Sequence, residues 1–243
     1  MNMGQSQDYA RRTRFDLPCK RSATVQNVRV DLWDGPTGTY VPPAAPIQMQ
    51  VVSTDNTNDK AGGTGALTVH IHYLDTNWNV AGTSVIMNGT TAVLTTPTDI
   101  ARVNGFHVTT AGSGGAPAGT ISLQAVGGAV TYGIISAGHN RARMPMFTIP
   151  AGKVGYIKQW QVSSASAAAS IVEADLRATA HDGVLMPGIF LMHDQAVGQY
   201  IIENVLYDAP LVVPAKTDIK VTAISGGAAD NATVAANVIG WYE

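Results

Sequence analysis

The sequence predicts an all-β protein: two β-sandwich or jelly-roll-like domains preceded by an extended N-terminal arm. Three observations lead there. Apolar residues recur at every second position in short runs, as a strand with one buried face requires. The runs are separated by Gly, Pro, Asn and Asp at the spacing of sandwiches and jelly rolls. No segment carries a long apolar period of 3.6 residues, so helix beyond a turn or two is not expected.

One phrase is written twice. Phe147–Lys158 and Leu211–Val221 each give an apolar run, a Pro-Ala pair (Pro150-Ala151, Pro214-Ala215) and then an alternating strand. Proline fixes φ and lacks an N–H, so it suits the place where a strand stops and the chain turns. The copies lie too far apart for a propeller blade and are too irregular for a solenoid. They read as two equivalent corners of one jelly roll, where strands enter the two facing sheets.

In chain order, residues 1–22 are polar, basic and without period, and read as an extended arm. Arg11, Arg12, Arg14, Lys20 and Arg21 give this segment five of the fifteen basic residues, which suits contact with acidic neighbouring subunits. Residues 23–142 form the expected N-terminal β-sandwich domain. Its first strand runs to Trp33 and stops at Asp34-Gly35-Pro36; Tyr40–Pro46 is too proline-rich for a central strand. Asp55–Gly65 is a loop, and Leu67, Val69, Ile71 and Tyr73 mark the cleanest strand. Asn88-Gly89 favours positive φ and predicts a hairpin between Thr83–Met87 and Thr91–Thr95. Residues 143–243 form the expected C-terminal jelly-roll-like domain. Ser163–Ala169 has helical propensity but neither caps nor charge, and is expected to be a loop.

Composition narrows the function classes. Only 13% of the 243 residues are charged, against about 25% in an ordinary soluble domain. A surface so poor in charge suits one covered by other subunits or rich in uncharged polar residues. Cys19 is the single cysteine, so no intrachain disulfide forms, in keeping with assembly in a reducing cytoplasm. Met1–Arg14 lacks the apolar core of a secretory signal, and no stretch approaches the ~20 apolar residues of a membrane span.

Catalytic vocabulary is sparse. There is no Gly-x-Ser-x-Gly elbow and no His-Glu-x-x-His, and Glu173, Glu203 and Glu243 are the only glutamates, so an enzyme is not expected. Gly112–Gly115 is followed by strand residues and not by the helix that a phosphate cradle needs. His70 and His72 share one strand face and would hold a metal if a third ligand came from a neighbouring strand. No partner is visible in the sequence, so a solvent-facing polar pair is expected, with no metal and no cofactor. His181-Asp182 and His193-Asp194 read as loop residues. Trp78, in the turn Asp75–Asn79, is the tryptophan expected to be exposed and is the candidate for a glycan-stacking surface.

Asp31–Thr37, Gly62–Asp75, Met87–Val93, Ala111–Gly115 and Ala118–Ile121 together resemble a family of virion structural proteins from tailed bacteriophages, over about residues 28–160. The resemblance implies no catalytic residues. It implies a virion component assembled in the host cytoplasm, above all a capsid-decorating or cement protein, trimeric, bound to the major capsid protein or other virion proteins. Membrane and nucleic acid are not expected partners. The alternative is a tail-associated adaptor or fibre protein that binds host-surface glycan.

Overall fold

The computed structural model describes residues 12–21, 27–166, 171–180, 189–226 and 232–243. Among them the regular structure is all β, in four antiparallel sheets grouped into two compact units. The domain division differs from the expected one. One unit is Trp33–Met146; the other combines Met1–Leu32 with Phe147–Glu243. The first is therefore inserted into the second, and the boundaries fall after residues 32 and 146 instead of 22 and 142.

The discontinuous unit contains one sheet in the order β1-β16-β11-β14, with β1 at Thr13–Arg21, β11 at Gly155–Ser166, β14 at Ile202–Val213 and β16 at Ala232–Tyr242. The other sheet runs β10-β15-β12-β13, with β10 at Met146–Thr148, β12 at Val172–Ala180, β13 at Leu191–Gly198 and β15 at Thr217–Ser225. The short strand β2, Val30–Asp31, pairs with β15. Along β16 burial alternates strictly, and Val234 and Val238 face the core with Ile157, Trp160, Leu176, Ile219 and Val221. Ser163–Ser166, expected to be loop, extends β11; residues 167–169 lie outside the described residues.

Both Pro-Ala phrases carry the chain from one sheet to the other: β10 to β11 across Pro150, and β14 to β15 across Pro214. The corners are also bonded to each other. Lys216 N donates to Ile149 O at 2.9 Å, and Ile149 N to Thr217 O at 2.9 Å. Beside them Thr148 Oγ1 donates to the buried Asp218 carboxylate at 2.6 Å. The repetition therefore reflects two adjacent solutions to one task, turning a strand over the end of a sandwich.

The segment read as a free arm is different over Thr13–Arg21. It is an outer strand, paired residue by residue with β16 from Thr13↔Tyr242 to Arg21↔Val234. Phe15, Leu17 and Cys19 point inward and are buried, and Phe15 stacks on Phe147 at 4.3 Å between ring centroids. Burial raises the Cys19 thiol pKa to about 12, against a weaker lowering from its hydrogen bond to Ala236 O. A thiol reagent at neutral pH should therefore label Cys19 only when β1 detaches. Labelling as fast in the native protein as in denaturant would contradict this placement.

The inserted unit has sheets β6-β3-β8-β9 and β5-β4-β7. The strands of the first are β3 (Met49–Ser53), β6 (Val93–Leu94), β8 (Ile121–Ala125) and β9 (Thr131–Ile135). Those of the second are β4 (Ala66–Leu74), β5 (Val80–Ile86) and β7 (Arg102–Ala111). Met49, Val51, Ile71, Phe106, Leu123 and Ile135 fill the core. Gly89 has the expected positive φ of 61°, yet no hairpin forms: β5 pairs with β4, and β6 with β3. Asn88-Gly89 instead turns the chain between sheets. Gly89 N donates to Asp59 O at 2.8 Å, and Ser53 N to Gly89 O at 2.9 Å.

Asp59 organises that end of the unit. Its fully buried carboxylate accepts from Ala66 N (2.8 Å), Ala118 N (2.9 Å), Gly119 N (2.8 Å) and Ser53 Oγ (2.6 Å). A buried charge is tolerated only when saturated with donors in this way.

Candidate functional site

Edges decide where a sheet can meet another chain, because an outer strand leaves a row of N–H and C=O groups unpaired. In the sheet β1-β16-β11-β14 the two edges differ in kind. The β1 edge carries Arg14, Asp16, Pro18 and Lys20 on its outward row. Charge and proline on an edge strand discourage further pairing. Arg12, just before β1, pairs with Glu243 at 3.3 Å, and its guanidinium lies 5.0 Å from the Trp241 ring centroid. Arg21 closes the strand opposite Val234, and Arg11 lies outside the described residues.

The opposite edge exposes large apolar side chains, interleaved with exposed Glu203, Asn204 and Asp208. On β14, which pairs only with β11 among the described residues, Ile202 is 89% exposed, Leu206 60% and Val212 63%. β13, the edge of the facing sheet, exposes Leu191, Met192 and Val197, and Tyr200 is exposed between the two strands. Asp194 ties these edges together. Tyr207 Oη on β14 donates to its carboxylate, as does Trp160 Nε1 at 3.0 Å. Burial, then the bond to Asp194 and its charge, keep the Tyr207 phenol protonated well beyond neutral pH. His193, expected in a loop, stands on β13, whereas His181 and Asp182 lie outside the described residues. Between the pairs Ile157↔Leu211 and Gln159↔Leu206 the ladder is irregular, Lys158 standing against Tyr207–Pro210 of β14 with its Nζ donating to Tyr207 O.

Trp78 is not the exposed platform expected. It is half-buried at a positive φ of 65°, and the Arg102 guanidinium covers its ring at 4.6 Å from the centroid. A face covered by a cation is not free to stack on a sugar.

The sequence reasoning missed a third histidine. β4 and β7 pair with His70 opposite His107, so His107 joins His70 and His72 on the outward face of β5-β4-β7. Ring centroids are 4.6 Å apart for His70–His72, 5.2 Å for His72–His107 and 5.6 Å for His70–His107. Desolvation lowers the pKa of His72 and His107, and the neighbouring histidines and Arg141 lower it further. His70 Nδ1 shares a 2.9 Å hydrogen bond with Ser84 Oγ on β5. With the side chains as placed, no group of three or more His, Cys, Asp or Glu among the described residues is arranged to hold a metal ion. The only sequence signal was His70-x-His72, because the third member depends on register between distant strands.

No family model and no curated protein matches the chain. Among solved structures it aligns with the infectious bursal disease virus VP2 subviral particle at 9% identity, over 96% of this chain and 76% of that one. The TM-score of 0.13 is too low for that likeness to bear on fold or function. The architecture therefore rests on the chain's own strands and corners: it is an all-β protein of the β-sandwich type.

Proposed function

We propose that this chain is a structural subunit of a tailed-bacteriophage particle, a capsid-decorating or cement protein that holds neighbouring shell subunits together. The observation that carries the reading is the contrast between the two edges of one sheet: β1 guarded by Arg14, Pro18 and Lys20, and β14 presenting Ile202, Leu206 and Val212 to solvent. Apolar residues clustered on an open edge are a liability in a free monomer and an asset in an assembly. The low charge content and the sequence resemblance support the same reading.

In this account the β13/β14 side is buried against the major capsid protein or a second copy of the chain, with a trimer as the preferred closed arrangement. The test is the composition of particles purified from the host that carries this gene. Hundreds of copies per particle are expected of a shell component, whereas about a dozen would place the protein in the tail. Absence from the particle would overturn the virion assignment altogether.

A further inference from the structure

We propose that His70, His72 and His107 form a binding site for a divalent transition-metal ion of the zinc type. Two imidazoles two residues apart on one strand, plus a third directly across on the neighbouring antiparallel strand, gather three imidazole rings on one patch above the sheet. Zn–N bonds of about 2.0–2.1 Å place the centroids of tetrahedrally arranged imidazoles roughly 5 Å apart. The observed separations of 4.6, 5.2 and 5.6 Å bracket that value.

The floor of the cluster is cut to make room for the rings. His72 is flanked in register by Gly82 on β5 and Gly105 on β7. A Cβ at position 82 would lie 2.7 Å from His70 Nε2, and one at position 105 would lie 3.3 Å from His72 Cδ2. Side chains at either place would push the imidazoles apart.

As placed, the rings do not converge: His72 and His107 lie nearly parallel, at 18°, and His70 is turned away from both. Its Nδ1 is on Ser84 and its Nε2 lies over Gly82, so both nitrogens face β5 instead of β7. Bringing one nitrogen round to the ion costs a single solvent-accessible hydrogen bond, a small net term beside a metal–nitrogen bond. Rotation of exposed side chains is fast, so the site assembles on the ion. Three neutral imidazoles leave one tetrahedral position, which water fills, and the ion then bridges β4 and β7.

The test is calorimetric titration of the full chain with Zn²⁺, with Co²⁺ absorption as the readout of tetrahedral coordination. One ion per chain at this site is expected. Loss of an outer-shell partner alone weakens metal sites by about 10–100-fold, so His70→Ala, His72→Ala and His107→Ala should each weaken binding at least about tenfold. His193→Ala, on the other unit, should leave it unchanged. NMR of the wild-type imidazoles is independent of any variant's folding, and it should show three of the six histidines shifting on zinc addition. Zinc binding that survives His107→Ala undiminished, or shifts that spare these three rings, would overturn the proposal.

Discussion

Removing residues 1–22 should unfold the discontinuous unit while Trp33–Met146 keeps its hydrogen-exchange protection. The deletion takes away β1, its ladder with β16, and the buried Phe15, Leu17 and Cys19. Burying one Leu or Phe side chain contributes ~1.5–3 kcal/mol. Together with the lost ladder, the deficit is comparable to the ~5–15 kcal/mol that holds a domain folded. Leu17→Ala alone should cost about 2–5 kcal/mol, since the facing core cannot fully close on the gap. Exchange mass spectrometry separates the outcomes. Loss of protection in β11, β15 and β16 is expected. Full protection there would mean that β1 is a dispensable arm.

Asp59→Ala should be the most damaging single substitution in the inserted unit, at about 3–5 kcal/mol. Three backbone N–H groups and the Ser53 hydroxyl lose their acceptor, and leaving a buried donor unsatisfied costs ~1–3 kcal/mol. Ala66 and Gly119 are buried; Ala118 is exposed and recovers part of the loss from water. Asp59→Asn keeps the volume but turns an NH₂ group towards N–H donors, so it should also destabilise. Denaturant titration of both variants checks this. An Asp59→Asn protein as stable as the parent would show that the saturated carboxylate is not what pins Ala66, Ala118 and Gly119.

The corners were legible in the sequence because they are local: proline, a turn and an alternating strand sit within about a dozen residues. The sheet partner of Thr13–Arg21 was not, because it lies at the other end of the chain and no local pattern encodes that register. A signal was nevertheless present in the period-two spacing of Phe15, Leu17 and Cys19, obscured by the basic residues between and around them. Those bases stand where an edge strand needs them. Asn88-Gly89 shows the same division: the positive φ of Gly89 is a local property, whereas its flanking strands take their partners, β4 and β3, from elsewhere in the chain. His107 illustrates it at the site, since only the β4–β7 register places it opposite His70.

The assembly account turns on which edge of the sheet makes contact, and one comparison tests it. Ile202→Asp and Leu206→Asp place charge on the exposed β14 edge; Arg14→Glu and Lys20→Glu reverse charge on the β1 edge. Circular dichroism should show all four variants folded. Particle occupancy, measured by adding each purified variant to particles stripped of the protein, is the readout. The account predicts that the β14 variants fail to attach while the β1 variants attach as the parent does. Attachment that survives both β14 substitutions and is lost on charge reversal in β1 would contradict it.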